Sequence, residues 1–386
     1  MPFPTFQKLF LSASLMVLPQ LAHAEVLEIP GSDDVNILID VNDRGDVLWL
    51  KSAAAPNTLM KTSPDGQGGY VHVAVNDMVS ATGSAVASLS SNGDITWSGY
   101  ASGQPHIFFY DDSTGTASQL TPPGTVRPWG PVISGNGDAA WTTQPSLYSN
   151  MHVEYYTKSD GLITRLTASA SAVTQPAMNH GGDAFWFEKS GSGDFDLRKY
   201  DAEAQTTSTL LVRPIGTTLR RVHASESGDV AWIEVVAGEG IPDLFLYDAR
   251  DGSVERITNS THEENNVQFN RAGDLVWNAV GDIWFLDRRT QQPKLIDSAQ
   301  AANSGNFALS DMGETAWSDQ VGLGSEVRLF SNATNSYHDV VGVEPYQIEN
   351  HPKMNAAGDL YFRVEWITGG VTQSRIVRAT RQFECN

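Results

Sequence analysis

A short phrase recurs eight times in this chain, and its spacing constrains the fold more than any other feature. Each copy places a turn glycine before Asp or Glu and an aromatic residue four positions after the glycine. The glycines are Gly45, Gly93, Gly137, Gly182, Gly228, Gly273, Gly313 and Gly358. Neighbouring copies are 40 to 48 residues apart. A period in this range with several short strands per unit indicates a radial β-repeat, because one unit cannot bury its apolar face without a neighbour.

The phrase itself predicts a tight hairpin. The residue three before each glycine is Asn or Ser, whose short side chain bonds the backbone of a turn, while glycine accepts the positive φ that the turn requires. Two more alternating runs follow in most units, ending for example at Leu120-Thr121 and Ile257-Thr258. The fold class predicted is therefore all-β, an eight-bladed β-propeller of four-stranded antiparallel blades. Seven tryptophans are predicted to lie buried between blades: Trp49, Trp97, Trp141, Trp186, Trp232, Trp277 and Trp317.

The N-terminal segment resembles a secretory signal rather than part of the fold. Lys8 precedes an apolar run that closes on Ala22-His23-Ala24, which is typical of a signal peptide with a small-residue cleavage site. We therefore expect residues 1–24 to be a signal peptide and residues 25–386 to form a single propeller domain. No later apolar segment is long enough to cross a bilayer. The predicted location is the periplasm or the extracellular space.

The two ends of the mature chain are predicted to complete one blade together. Residues 26–29 correspond to an outermost strand that has no blade of its own, whereas the last repeat runs out after its third strand at residues 374–381. Pairing of these segments would close the ring and cover edge groups that would otherwise be exposed.

Charge and cysteine content limit the partners. The net charge is −20, and it becomes −21 once Lys8 leaves with the signal. A surface so acidic repels phosphates, so neither nucleic acid binding nor membrane insertion is expected. Cys385 is the only cysteine, which excludes an intramolecular disulfide. We expect a monomer, and Cys385 leaves a disulfide-linked dimer open.

The third copy of the phrase resembles a known family. Residues 131–138 read Pro-Val-Ile-Ser-Gly-Asn-Gly-Asp and lead into Ala139-Ala140-Trp141, which is similar to the repeat of TolB-like propellers. That repeat typically reads Pro-x-x-Ser-Pro-Asp-Gly, so this chain departs from it at the Pro-Asp step. The resemblance implies the propeller fold. The family includes interaction platforms, peptidase domains and some polysaccharide lyases, so the resemblance does not fix the function.

The repeated acidic residue suggests either eight calcium sites or a structural role. One carboxylate per turn offers too few oxygens for calcium, which takes six to eight ligands, so the structural role is favoured. The chain has no nucleophile elbow, no His-Glu-x-x-His and no phosphate-binding glycine loop. No catalytic residue, metal or cofactor is predicted.

A ligand site is predicted on one face of the ring. In a propeller, the loops entering each innermost strand share a face with those between the second and third strands; we call this the funnel face, and the opposite face the turn face. Residues seven and eight positions before the turn glycines should line the funnel mouth. The predicted ligand-binding residues are Trp129, Gln175, Arg220, Arg221, Asn265, Asn266, Asn306, Asn350 and His351.

Three histidines, His106, His152 and His262, are expected to open on the funnel face as well. Imidazoles placed there could ligate a metal. Gln175 with His351 is similar to the central metal site of some lyase propellers, although no three histidines occupy equivalent positions. A metal site is therefore left open.

Two functions remain open at this point. One is a non-catalytic propeller that binds a protein or carbohydrate ligand at the funnel face. The other is a glycan-active lyase or hydrolase, with His351, Arg220 and Arg221 serving a lyase or the carboxylates Glu263, Glu264 and Glu349 serving a hydrolase. The two arginines either attract a carboxylate-bearing ligand or pair with Glu263 and Glu264. The turn face is expected to be too uniform to distinguish one blade from another.

Overall fold

The computed structural model describes residues 25–52, 57–79, 87–144, 151–167, 172–214, 216–298, 307–321, 324–340 and 348–380. Its regular secondary structure within these ranges consists of 32 strands, which form the eight four-stranded antiparallel blades of a propeller, with one parallel bridge between Ser325 and Ile348 joining the last two blades. The predicted fold class is confirmed. Over the same ranges, the chain contains no helix that is long and apolar enough to cross a membrane.

The first four blades follow the chain. Blade 1 contains β2 (Val35–Val41), β3 (Val47–Lys51), β4 (Asn57–Pro64) and β5 (Tyr70–Val79). Blade 2 contains β6 (Ala87–Leu89), β7 (Ile95–Ala101), β8 (Gln104–Asp111) and β9 (Thr116–Gln119). Blade 3 contains β10 (Val126–Ile133), β11 (Ala139–Gln144), β12 (His152–Thr157) and β13 (Leu162–Arg165). Blade 4 contains β14 (Ala177–Met178), β15 (Ala184–Lys189), β16 (Phe195–Asp201) and β17 (Thr206–Arg213).

The remaining blades repeat the pattern until the last, which takes its outer strand from the start of the chain. Blade 5 contains β18 (Thr218–Ala224), β19 (Val230–Val235), β20 (Pro242–Tyr247) and β21 (Val254–Arg256). Blade 6 contains β22 (Glu264–Phe269), β23 (Leu275–Ala279), β24 (Asp282–Leu286) and β25 (Pro293–Asp297). Blade 7 contains β26 (Phe307–Leu309), β27 (Glu314–Val321), β28 (Gly324–Ser331) and β29 (Ser336–Asp339). Blade 8 contains β30 (Ile348–Met354), β31 (Leu360–Thr368), β32 (Val371–Thr380) and β1 (Glu25–Glu28).

The repeated phrase is the hairpin between the first and second strands of each blade. In blade 1, Gly45 has φ 79° and the Asn42 side-chain oxygen accepts hydrogen bonds from the backbone N–H groups of Arg44 and Asp46. The Asn42 amide also donates to the carbonyl of Ser90 in the next blade (2.9 Å). The small polar residue therefore shapes its own turn and joins two blades.

The acidic residue of the phrase is structural. Asp229 accepts a hydrogen bond from the backbone N–H of Ala249 just beyond the third strand (2.8 Å). Its other oxygen binds the buried guanidinium of Arg288 in blade 6 (3.0 Å), and that same guanidinium reaches Asp248 (2.6 Å). Hydrogen bonds from Arg250 and Arg288 hold the pKa of Asp248 well below its usual range. The repeated carboxylates thus tie blade to blade.

The seven repeat tryptophans are each at most 1% exposed, which confirms their predicted burial. They fill the layer between blades: Trp232 of blade 5 packs edge-on against Phe187 of blade 4, with ring centroids 5.4 Å apart. The smaller Phe362, which replaces tryptophan in blade 8, is also fully buried.

The ring closes as predicted, with the N-terminal strand as the outer strand of blade 8. Strand β1 pairs antiparallel with β32, from Glu25 opposite Thr380 to Glu28 opposite Val377. The backbone N–H of Ile29 continues the ladder to the carbonyl of Ile376 (2.9 Å), and the Ile29 side chain is fully buried. The predicted signal peptide and Cys385 lie outside the described residues.

Candidate functional site

The innermost strands bulge at the funnel mouth, where the predicted ligand residues lie. The pairing of β10 with β11 shifts register between Trp129 and Val132, and similar shifts follow Asn265 and Asn350. Within these bulges Gly130, Asn266 and His351 have positive φ, at 63°, 51° and 54°. A bulge leaves one residue out of the ladder and re-aims its side chain. Counting back from the turn glycines therefore located real irregularities of the inner strands.

Each predicted residue lies on its own part of the rim. Trp129 is 56% exposed on blade 3. Gln175 of blade 4 covers Gly130: an added Cβ would lie 1.6 Å from the Gln175 side-chain nitrogen, so a larger residue at this position would displace the glutamine. Asn265 is exposed on blade 6. The side chain of Arg221 and the whole of Asn306 lie outside the described residues.

Arg220 forms an ion pair with Glu263 on the funnel face. Both side chains are about half exposed (51% and 48%), so the pair is screened by solvent and adds little stability. Of the two interpretations of this arginine, the structure shows the pairing with a neighbouring acid. The binding role of Arg220 stays a prediction, because an exposed ion pair can open when a ligand arrives.

His351 is held as a neutral imidazole. Its Nδ1 atom lies 2.7 Å from the side-chain oxygen of Asn350, which also accepts a hydrogen bond from Arg363 (3.4 Å). Burial, followed by the charges of Arg363 and Lys353, lowers the pKa of His351 to about 4. Within the described ranges, no group of three or more His, Cys, Asp or Glu side chains is placed to hold a metal ion.

The prediction that His106 and His152 open on the funnel face is wrong. They are only 4% and 5% exposed. His106 Nδ1 lies 2.9 Å from the hydroxyl of Thr121, and Arg165 donates to His152 Nδ1 (2.7 Å). In both blades the outermost strand and the residues after it cover the imidazole. His262 is exposed, as predicted.

A pocket of about 680 Å³ opens on the funnel face at blade 6. It lies between the connection from β21 to β22 and the hairpin that joins β23 to β24, and we call it the blade 6 pocket. Its lining residues are Ile257, Thr258, Asn259, Ser260, His262, Glu264, Trp277, Ala279, Val280, Asp282, Trp284 and Pro293. The volume falls within the range of small-ligand sites.

One wall of the blade 6 pocket is aromatic. Trp277 and Trp284 face each other across β23 and β24, with ring centroids 6.3 Å apart and planes 13° from parallel. Trp284 is half-buried, so part of its surface borders the pocket. Val280, at the tip of the hairpin, is 67% exposed and has φ 51°, which is a strained conformation for a β-branched residue.

The polar centre of the blade 6 pocket is Glu264, which is 1% exposed. The Ser260 hydroxyl lies 2.8 Å from Glu264 Oε1, but its one proton also has the His262 carbonyl within 2.7 Å. The Thr258 hydroxyl hydrogen-bonds the Glu264 carboxyl group and also lies 3.2 Å from Asp243, so its one proton is shared between the two acids. Glu264 Oε2 has no hydrogen-bond partner among the described residues. Burial raises the pKa of Glu264, and the neighbouring charge of Asp243 adds to the rise.

The turn face is less uniform than the repeated phrase suggests. A cavity of about 270 Å³ lies on the axis there, and the residue two before the turn glycine lines it in all eight blades. The side chain at this position varies among the blades, although the turn is the same. These lining residues include Asp43, Ser91, Gly135, His180, Glu226, Arg271, Asp311 and Ala356.

Two contacts cross this axial cavity between blades that are not neighbours. Arg271 of blade 6 binds Asp43 of blade 1 (2.6 Å), and His180 of blade 4 lies 3.3 Å from the hydroxyl of Ser91 in blade 2. Gly135 of blade 3 makes room for the second contact, because a Cβ there would come within 2.2 Å of the imidazole. The expectation of a uniform turn face is therefore wrong, although these groups mainly bind one another.

Comparison with known proteins identifies the fold only. No family model matches the sequence, and no curated protein matches it. Among solved structures, puromycin hydrolase is 12% identical with a TM-score of 0.52 over 86% of this chain and 59% of that chain. An oligogalacturonate lyase from Vibrio parahaemolyticus is 11% identical with a TM-score of 0.51, over 94% of this chain and 99% of that chain. TolB from Acinetobacter baumannii is 14% identical with a TM-score of 0.40, over 76% and 78%.

These similarities agree in architecture and differ in activity. The chain spans 59% of the puromycin hydrolase chain and 54% of a prolyl endopeptidase chain that it also matches, at 13% identity and a TM-score of 0.56. TM-scores of 0.51 to 0.56 show a shared fold, and identities of 11 to 13% leave the chemistry of each protein to its own residues. The likeness to TolB-like propellers, to peptidase propellers and to a lyase propeller is therefore a likeness of fold.

Proposed function

We propose that this protein is a non-catalytic propeller, periplasmic or secreted, that binds a protein or carbohydrate partner at its funnel face. The observation that supports the proposal best is the blade 6 pocket, which combines an aromatic wall, a buried carboxyl group and a volume of about 680 Å³. Pockets with an apolar wall and a few converging polar groups are the usual form of a binding site.

The rim around the pocket extends the proposed binding surface. Asn265 follows Glu264 directly and is exposed, and the Arg220–Glu263 ion pair lies at the neighbouring edge of blade 5. Further around the mouth, Trp129 offers an exposed indole, a side chain enriched in binding surfaces. A partner that spans the mouth would contact different residues on each blade, which supplies specificity that identical blades cannot.

A glycoside hydrolase is the second candidate, and one observation favours it. Glu264, whose pKa is raised by burial, shares the pocket with a second carboxyl group, that of Asp282. A protonated carboxylic acid beside a second carboxylate is the arrangement that hydrolysis of a glycosidic bond requires.

Binding and hydrolysis can be separated with a glycan array and a pull-down from an envelope extract, each followed by a search for cleaved glycan. We expect a partner to be retained intact, and retention to fall when Trp129→Ala is introduced. Asn92→Ala is the matched control, because Asn92 is exposed on a turn-face hairpin. Capture that survives Trp129→Ala and Arg220→Ala but is lost with Asn92→Ala would place binding on the wrong face. Glycan turnover that Glu264→Gln abolishes in folded protein would instead establish the hydrolase.

A further inference from the structure

The charges around the blade 6 pocket do not balance. Arg256, at the end of β21, forms ion pairs with both Glu239 (2.6 Å) and Asp243. Glu264 is the third carboxyl group in this cluster, and the pocket lining contains no Lys or Arg side chain. A buried carboxylate without a cation or a full set of donors is costly, so this group is suited to a partner that brings positive charge.

Blade 5 contains the same arrangement with its cation present. There Trp232 stacks on Phe245, with centroids 5.8 Å apart and planes 15° from parallel. The guanidinium of Arg213 lies over the Phe245 ring, 5.1 Å from its centroid, and donates to both oxygens of the buried Glu234 (2.8 and 2.6 Å). A guanidinium held between an aromatic face and a carboxylate therefore already occurs in this chain.

The strand register shows how blade 6 differs from blade 5. Leu219 of β18 lies opposite Glu234 of β19, whereas Glu264 of β22 lies opposite Ala279 of β23. The carboxylate has moved to the other strand of the pair, and alanine leaves open space where Glu234 lies in blade 5.

A second pair of equivalent positions shows an arginine in blade 5 and no cation in blade 6. Arg256 lies opposite Phe245 in blade 5, while Leu295 lies opposite Trp284 in blade 6. Blade 6 thus keeps the aromatic pair and a buried carboxyl group but lacks the guanidinium.

The geometry points to the blade 6 pocket as a binding site for a guanidinium group, either of a free guanidino compound or of an arginine side chain. The guanidinium donates to the Glu264 carboxylate and covers the exposed part of Trp284, as Arg213 does with Glu234 and Phe245. This inference rests on the proposed function of the funnel face as a binding face, and it names the chemistry that the face recognises. The net charge of −20 favours the approach of cations.

The test is calorimetric titration of the full chain with ethylguanidinium chloride and, separately, with ethylurea. Ethylurea has nearly the same shape, but it is neutral, and a carbonyl oxygen that can only accept a hydrogen bond replaces one NH2 group. We expect one site for ethylguanidinium and about 10- to 100-fold weaker binding of ethylurea, which is the effect of losing a charge-assisted hydrogen bond. Glu264→Gln should weaken ethylguanidinium binding by a similar factor. Glu255→Gln is the matched control, because Glu255 is exposed on the adjacent β21.

A second variant keeps the test independent of Glu264. Trp284→Leu keeps apolar bulk but removes the aromatic face. It should therefore weaken the binding of ethylguanidinium and leave the binding of ethylurea no stronger than in the unmodified chain. Equal affinity for ethylguanidinium and ethylurea, or unchanged affinity in Glu264→Gln, would overturn the inference. Tighter binding of cellobiose or calcium chloride than of ethylguanidinium would overturn it as well.

Affinity should fall as the pH is lowered from neutral toward the raised pKa of Glu264, because protonation removes the charge of this carboxylate. The charged groups around this carboxyl are Asp243 with Arg256, Asp282, and His262. His262→Asn separates the imidazole from the carboxyl, and the pH dependence should persist in that variant. Affinity that does not change with pH in either protein would count against a carboxylate as the ligand-binding group.

Titration with a second ligand distinguishes the two possible sources of the guanidinium group. An acetyl-Gly-Arg-Gly-amide peptide that binds more tightly than ethylguanidinium indicates an arginine side chain of a protein, and equal or weaker binding indicates a free guanidino compound. Failure of the inference and of the proposed function remain distinguishable. A funnel-face partner that is retained while ethylguanidinium does not bind refutes only the inference, whereas ethylguanidinium binding without any funnel-face partner refutes only the proposed function.

Discussion

Removing residues 25–31 should open the ring between its first and last blades. These residues include all of β1, whose four residue pairs with β32 form the outer edge of blade 8. They also include Ile29, which is fully buried in one cluster with Trp49, Tyr361 and Ile376. That cluster joins blade 1 to blade 8, so the deletion removes both the edge strand and part of the packing between the two blades.

The size of the effect follows from these contacts. Loss of a buried isoleucine costs about 2–5 kcal/mol, and each backbone hydrogen bond of the ladder adds about 1 kcal/mol net. Ordering the strand during folding costs about 1–2 kcal/mol per residue, which offsets much of the gain from the ladder. Because the ladder and its ordering cost nearly cancel, we expect a loss of about 2–5 kcal/mol in the free energy of unfolding, most of it from the packing of Ile29. Ile29→Ala alone should cost about 2–5 kcal/mol.

The measurement is urea denaturation of the chain without its first 24 residues, monitored by tryptophan fluorescence and by circular dichroism. The control is deletion of residues 382–386, which follow β32 and should leave the midpoint nearly unchanged. Equal midpoints for the two truncations would refute the closure of the ring by β1, and so would an Ile29→Ala variant as stable as the parent.

Three other changes test the contacts between blades and the buried carboxyl group. Arg288→Ala should cost about 3–5 kcal/mol of unfolding free energy, because it leaves Asp229 buried without its cation. Urea denaturation measures this loss, with Arg250→Ala as the control because Arg250 is exposed. Trp141→Ala should cost about 3–5 kcal/mol, measured in the same way. Glu264→Gln should raise the melting temperature at about pH 7. Because the pKa of Glu264 is raised in the folded chain, the folded protein binds more protons than the unfolded protein and loses stability as the pH rises. The gain in melting temperature should therefore vanish below about pH 4, where the carboxyl group is protonated in both states.

The fold was predictable because the repeat carries the same physical requirements eight times. Gly45 and its equivalents need positive φ, the Asn or Ser three residues earlier bonds the turn, and tryptophans such as Trp141 fill the space between blades. Where one copy of the repeat gives a weak signal, the other seven copies still identify the turn. The place of β1 as the outer strand of blade 8 was predictable from the number of strands in each repeat. Seven repeats contain their own outer strand, and the last does not.

The site was only partly predictable. Counting back from the turn glycines found the bulges at Asn266 and His351, because a bulge holds a fixed place in the repeat. The count missed the blade 6 pocket, whose walls come from two separate segments. In the sequence, Trp277 was one more structural tryptophan and Glu264 one of several acids. Only the register of β22 with β23 shows that Glu264 faces Ala279 rather than another large side chain.

The pocket and the rest of the ring have a common physical explanation. Where a blade follows the repeat, its carboxylates meet cations of the same chain, as Glu234 meets Arg213 and Asp229 meets Arg288. Such pairs hold blades together and satisfy the buried carboxylate from within the chain. At Glu264 the chain buries a carboxyl group and supplies no cation, which lowers stability without improving packing. A departure of this kind from an otherwise regular repeat is where a propeller can acquire a binding site, and the funnel face of blade 6 is the part of the ring to test first.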